Sequence, residues 1–262
     1  MDLSETLKKL KNNEITLEEA EKQLRITNFE TLSDIAKVDT HRAKRTGIPE
    51  AIIADCKTCD EVVSIAKVHL KNEGRAIITR ASDEKYEALE SLAKDMKLLT
   101  RSSRRAGVIA IGDPVDKTGG RVGIVSAGTA DIPVAEEART IAEEMGCSVT
   151  AIYDVGVAGI HRLFPELTRL LVTGVDAIVV AAGREGTLPA IVSGLVDVPV
   201  IGVPVSTGYG AGGEGKAALL SMLQSCSVLT VVNIDAGFVA GAFAARVANL
   251  AAKNRNNIEK SA

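Results

Sequence analysis

One half of this chain concentrates the residue types that do chemistry: a thiol, Cys226, an imidazole, His161, and a loop carboxylate, Glu185. They are interleaved with four glycine-rich turns, Ser126–Asp131, Val157–Arg162, Ala182–Gly186 and Pro204–Gly210. A thiolate adds to electron-poor carbon and leaves again easily. An imidazole exchanges protons near neutrality. Glycine turns that lead into helices present backbone N–H groups to phosphate. The set predicts nucleotide chemistry.

Each residue has a chemical reading and a plainer one. Ser126, Gly128 and Thr129 form an anion seat. Asp131 accepts ribose hydroxyls, caps the helix that follows, or both. Glu185 beside a phosphate is repulsive unless a cation intervenes, which makes it a Mg2+ ligand; otherwise it is a solvated glutamate paired with Arg184. Cys226 is a nucleophile, with Arg184 or Lys216 as the cation beside it, or a small buried apolar residue. His161 takes a proton or merely bonds a neighbouring loop. The run Ser206–Gly213, with Gly208, Gly210 and Gly212, closes over a ligand or is a surface loop. Asp235 supports the cysteine's neighbourhood or caps the last helix.

Alternating elements must position these groups. Strand Val122–Val125 is followed by helix Ile132–Met145, strand Ser148–Tyr153, helix His161–Thr173 and strand Ala177–Ala181. Helix Leu188–Leu195, strand Val200–Val203, helix Gly215–Gln224, strand Leu229–Ile234 and helix Gly237–Lys253 complete the series. Continuous apolar strands such as Ala177-Ile178-Val179-Val180-Ala181 suit a sheet covered on both faces. The alternation predicts an α/β fold with a doubly wound parallel sheet, and the turns share its carboxyl edge. Upstream, residues 1–30 read as a helical segment in which Thr16-Leu17-Glu18-Glu19 fits a capping box. Residues 31–118 read as a smaller α/β domain, with strands Ala51–Ala54 and Arg75–Thr79 and helices Cys59–Asn72 and Ser82–Lys97. Residues 119–262 form the nucleotide-binding domain, after the polar linker Gly112–Gly120.

Composition narrows the classes. The 262 residues are 46% apolar and 25% charged, enough for a real core. A net charge of −3 leaves no electrostatic footprint for nucleic acid or membrane. With 3% aromatics and no tryptophan, stacking platforms for single strands are not expected. No apolar run approaches the roughly 20 residues that span a bilayer. Four unevenly spaced cysteines suit a reducing cytoplasm rather than a disulfide framework. Cys56-Lys57-Thr58-Cys59 lacks a second pair to complete a zinc site and is taken as incidental.

The turns resemble the PurE fold of purine biosynthesis. That family has a Gly/Ser-rich first loop ending in Ser-Asp, a Ser-Ala-His-Arg motif, an Ala-Gly-Gly loop before Leu-Pro, and Gly-Val-Pro-Val. This chain has Ser126–Asp131, Gly159-Ile160-His161-Arg162, Ala182-Gly183 with Leu188-Pro189, and Gly202-Val203-Pro204-Val205. It departs where PurE proteins have Ala-Ala-His: Arg184-Glu185-Gly186 stands there. That departure, Gln224-Ser225-Cys226, Val232–Phe238 and the upstream stretch His41–Glu50 look like the LarB family, which opens the biosynthesis of the nickel-pincer nucleotide.

The resemblance implies carboxylation of the pyridinium ring of nicotinic acid adenine dinucleotide and hydrolysis of its phosphoanhydride. Cys226, His161 and Glu185 would be catalytic. Ser126, Gly128, Thr129, Asp131, Arg162, Gly183, Arg184, Gly186, Pro204, Ser206, Gly208 and Asp235 would bind substrate. The basic set Arg42, Lys44, Arg45 and Arg80 reaches the adenylate half or forms a solvated face. Mg2+ and CO2 are expected, with no tightly bound organic cofactor. So is a homo-octamer with helix Ala242–Ala252 at subunit contacts. The rivals are a PurE-type enzyme acting on aminoimidazole ribonucleotide and a nucleotide-binding module without chemistry.

Overall fold

The structure is a computed structural model that describes residues 3–24, 30–32, 36–39 and 42–261. The chain divides into two compact units. One holds residues up to Arg101 with Ile109–Asp113, the other Ser102–Val108 with Pro114 onward.

The first unit starts with helices α1 (Leu3–Lys11) and α2 (Leu17–Leu24). The capping box is present: Glu19 N–H donates to Thr16 Oγ1 at 3.2 Å, and Thr16 N–H donates to the Glu19 carboxylate at 2.8 Å. An antiparallel pair, β1 (Glu30–Leu32) and β2 (Ala36–Val38), and a short helix α3 (Arg42–Thr46) follow; the sequence reading contained none of the three. Next come β3 (Ile52–Ile53), α4 (Cys59–Glu73), β4 (Arg75–Thr79), α5 (Asp83–Asp95), β5 (Thr100–Ser103) and β6 (Val108–Gly112). Their sheet runs β3-β4-β6-β5, with β4 parallel to β3 and antiparallel to β6. Helix α4 opens on a capping box between Thr58 and Glu61, which sets Cys59 at its first position.

The second unit is a five-stranded parallel sheet built from β7 (Arg121–Ser126), β8 (Ser148–Ile152), β9 (Ala177–Ala182), β10 (Val200–Pro204) and β11 (Thr230–Val231). In space they run β8-β7-β9-β10-β11, the flavodoxin-type order 2-1-3-4-5. Chain direction across the sheet reverses between β7 and β9, so a crevice opens above their carboxyl ends. Every residue of β9 is buried, as a strand covered on both faces must be. Helices α7 (Leu163–Thr173), α8 (Leu188–Ser193) and α9 (Lys216–Leu223) cover one face through Leu163, Leu167, Leu170, Leu188, Val192, Ala218 and Met222. Each such leucine contributes about 1.5–3 kcal/mol by leaving water.

Helices α6 (Ile132–Glu144) and α10 (Gly237–Ser261) cover the other face. They cross at backbone contact: a Cβ at Gly241 would stand 2.3 Å from the Ala138 carbonyl oxygen. Ala242, Ala244, Ala245, Ala248 and Ala252 are buried within the chain itself. The apolar face expected at subunit contacts is therefore spent on the core, and the outward side of α10 carries Val239, Phe243 and Leu250 instead. Strand β11 has two residues where six were expected; at the sheet edge it pairs only with Ile201 and Gly202 of β10. The helix expected from His161 begins at Leu163, since Val157–Arg162 winds as a 3-10 turn broken at Gly159.

Candidate active site

A cavity of about 560 Å3 occupies the crevice, within the range of small-molecule sites. Four turns line it, one after each of β7, β8, β9 and β10. The register places Ser126 of β7 beside Ala181 of β9, so the first and third turns leave the sheet side by side.

Asp131 ties three of these turns together. It sits at the N-cap of α6, yet its side chain makes no capping bond there. Its carboxylate instead accepts the Gly128 N–H at 2.8 Å, the Thr207 hydroxyl at 3.3 Å and the Gly183 N–H. The residue is only 5% exposed. Burial pushes its carboxyl up from the ordinary aspartate range; these three donors pull the other way, and the nearby charge of Glu185 pushes up again. A buried, perturbed carboxyl in a cleft is a candidate functional group.

In the second turn Asp154 adopts a left-handed backbone, φ 58°. Its N–H donates to the buried Ser126 Oγ at 3.3 Å, and its carboxylate accepts Arg162 Nη1 at 2.6 Å. Ser126 therefore supports the second turn from beneath. A Cβ at Gly156 would lie 2.7 Å from the Ala127 carbonyl oxygen, so the first two turns pack backbone to backbone.

In the third turn Arg184, Glu185 and Gly186 all line the cavity. Gly186 has φ +68°, and a Cβ there would meet the Ala218 carbonyl oxygen at 2.6 Å, which leaves no room for a side chain. Arg184 lies over the ring of Tyr209, 4.1 Å from its centroid. Thr207 and Tyr209 of the fourth turn complete the wall.

The structure thus gathers Gly128, Thr129, Asp131, Arg162, Arg184, Glu185 and Gly186 around one space. Gly183 and Ser126 stand directly behind it, through Asp131 and Asp154. Asp154, Thr207 and Tyr209 also line the cavity and were missed. Each had a sequence signal: a carboxylate at a strand end, a threonine before a glycine, and a rare tyrosine between glycines.

Other expected residues lie elsewhere. Pro204 ends β10 and its carbonyl accepts the Asp235 N–H at 2.9 Å; the Asp235 carboxylate accepts the Ser206 N–H at 2.8 Å. Gly208 packs on Gly183, where a Cβ would meet the carbonyl oxygen at 2.7 Å. His161 is exposed, between the lining residues Ala158 and Arg162 but not itself lining. Cys226 is exposed in the turn before β11, at the amino end of the sheet, whereas the cavity is at the carboxyl end. Lys216 pairs with Glu214 at 2.7 Å. The other thiol of this unit, Cys147, is buried against Asn249 and its pKa is pushed up to about 11 by burial. Arg45 pairs with Asp39, and Arg80 with Asp55 at 3.5 Å, all in the first unit. His41 and the side chain of Lys44 lie outside the described residues. Among the described residues no three metal-ligating side chains cluster, and no helix is long and apolar enough to cross a membrane.

Comparison with known proteins agrees with this architecture. Residues 121–261 match the family model described as AIR carboxylase, and residues 29–110 match the LarB/PurE-like N-terminal domain. An uncharacterised protein of Methanocaldococcus jannaschii is 41% identical over 253 residues, covering 95% of this chain and 98% of that one. The N5-carboxyaminoimidazole ribonucleotide mutase of Thermotoga maritima is 31% identical over 115 residues, 42% of this chain and 65% of that protein. Its counterpart from Pyrococcus horikoshii is 31% identical over 117 residues, 43% of this chain and 62% of that protein. A LarB-type N-terminal domain joined to a PurE-type sheet, with the similarity to one relative running nearly end to end, places this chain in the LarB family.

Proposed function

We propose that the protein carboxylates the pyridinium ring of nicotinic acid adenine dinucleotide and hydrolyses its phosphoanhydride, giving pyridinium-3,5-biscarboxylic acid mononucleotide and AMP. The observation that carries this reading is the third turn. Arg184 and Glu185 line the crevice where PurE proteins have a histidine loop. A cation and a carboxylate suit a diphosphate with a divalent cation better than proton transfer on an aminoimidazole.

A pyridinium carbon is too electron-poor to attack CO2. The Cys226 thiolate forms a C–S bond beside ring carbon 5, and the displaced electron pair turns the ring into a neutral dienamine. Carbon 5 then bonds to CO2. His161 takes the proton from carbon 5, and the thiolate departs with the C–S pair, restoring the aromatic cation. Water divides the phosphoanhydride. Of the two thiols in this unit, Cys226 has access, while Cys147 is buried.

Mg2+ fits the donor set, since it takes one or two carboxylates together with substrate oxygens and water. Glu185 is exposed on the crevice, and its charge reaches Asp131. It would hold the ion, which would neutralise the diphosphate and orient water. No tightly bound organic cofactor is needed, and the cytoplasm is the expected setting. Because Cys226 and the crevice stand at opposite ends of one sheet, the reading has the thiol supplied by a neighbouring subunit of the homo-octamer. Leu220, Leu223 and Val228, close to it in sequence, are exposed and offer the surface to be covered.

A PurE-type reaction on aminoimidazole ribonucleotide is the second reading, favoured by the similarity to the mutases. A Cys226→Ser variant should fold and yield no carboxylated product from the dinucleotide. Normal product from that variant would refute the covalent step.

A further inference from the structure

Tyr209 is the one aromatic residue among those lining the crevice, and it is 78% exposed. The chain's other tyrosines are committed: Tyr86 is buried in the first unit's core, and the Tyr153 hydroxyl bonds to Glu136. The face of Tyr209 carries the Arg184 guanidinium. Among the described residues Arg184 has no carboxylate partner, so a full positive charge at the crevice is held by an aromatic face. Such a face attracts planar cations through the ring's quadrupole.

From this geometry we infer that Tyr209 is a specificity-determining residue whose face selects a planar cationic ring, a pyridinium, over a neutral one, and that the incoming ring displaces Arg184 toward the diphosphate. The inference rests on the reading that the ligand is a pyridinium dinucleotide. A pyridinium reproduces what the guanidinium already does there, a flat delocalised cation against the ring. The neutral base of an aminoimidazole nucleotide does not. The freed guanidinium offers a planar fork of donors that matches phosphate oxygens. One exchange thus swaps a cation for a cation on the aromatic face and delivers an anion-binding group to the substrate's other half. Thiolate addition neutralises the ring, so the stack strengthens the ground state more than the dienamine. Tyr209 therefore acts on KM more than on kcat.

Equilibrium binding of nicotinic acid adenine dinucleotide, compared with its neutral dihydro form, tests this on the full-length protein. The two ligands differ only in the ring. The wild type should prefer the cationic form, Tyr209→Phe should keep the preference, and Tyr209→Leu should reduce it about 2- to 30-fold. An equal preference in the wild type and Tyr209→Leu overturns the inference, as does failure of the folded wild type to bind either form. AMP formation, measured alongside, separates the two readings. If Tyr209 discriminates but no AMP forms, the proposed reaction fails and the selector stands. If AMP forms with identical KM in the wild type and Tyr209→Leu, the reaction stands and the selector fails.

Discussion

Gly183→Ala would drive a methyl group into the junction where Asp131 joins three turns. A Cβ at that position stands 2.7 Å from Thr207 Oγ1, 2.8 Å from Asp131 Oδ1 and 3.1 Å from the Val205 carbonyl oxygen. Asp131 is held by Gly128 and the Val205 contact is to backbone, so the relief falls on Thr207. Overpacking of this kind costs about 1–3 kcal/mol. Separating Thr207 from Asp131 removes a hydrogen bond worth about 0.5–1.5 kcal/mol. The stiffer unfolded chain returns about 0.4–1 kcal/mol. The net of about 0.5–4 kcal/mol lowers Tm by about 1–16 °C in a protein of this size. Gly128→Ala is the control, since its Cβ would meet Asp131 Oδ2 at 3.5 Å, an ordinary contact. Its Tm should stay within about 2 °C of the wild type. Nucleotide affinity should fall with Gly183→Ala as well, because the displaced turns line the cavity. Thermal melts of the two variants without ligand decide the matter. Equal Tm values for Gly183→Ala and the wild type would refute the claim that Asp131 is a packed junction.

Three further outcomes follow from the charges and the topology. Asp131 has its folded pKa raised by burial, so it opposes folding in its charged form; that opposition is absent below the ordinary aspartate range and complete above the raised folded value. The Tm advantage of Asp131→Asn over the wild type should therefore grow as pH climbs from about 4 to 7, whatever its pH-independent offset. Asp176 behaves in the opposite sense: burial opposes its charge, but hydrogen bonds from Arg255 and from the Arg121 N–H overcome it and lower its pKa. Arg255→Ala should cost about 1.5–3 kcal/mol at pH 7 by denaturant unfolding, and less as pH falls through that lowered value. Finally, the proposed sharing of the site between subunits predicts that co-assembly of Cys226→Ala with Glu185→Gln subunits restores part of the activity each lacks alone. No recovery in demonstrably mixed oligomers would place both groups in one subunit's site.

Much of the fold is written in local pattern. The apolar runs of β7, β9 and β10 admit no reading but covered strands, and the glycine turns announce where each strand ends. Cation and carboxylate at Arg184 and Glu185 were legible for the same reason, as polar residues in a turn that must face the crevice. What sequence could not show is side-chain direction. Asp131 reads equally as a helix cap, and only the approach of Gly183 and Thr207 turns it toward the loops. Tyr209 becomes part of the site through a stack with a residue 25 positions earlier. Cys226 lies a short helix beyond the fourth turn in sequence, yet α9 carries the chain back toward the amino end of the sheet before it. The alanines of α10 form an apolar face in either setting, and the backbone contact at Gly241 is what assigns them to the core.

The central claim is best tested by incubating the purified protein with nicotinic acid adenine dinucleotide, 13C-bicarbonate and Mg2+, and weighing the nucleotide products. The account predicts AMP in equal amount with a mononucleotide that carries one additional, labelled carboxyl group. Unchanged dinucleotide in a folded sample that instead turns over aminoimidazole ribonucleotide, or turns over neither, would contradict it.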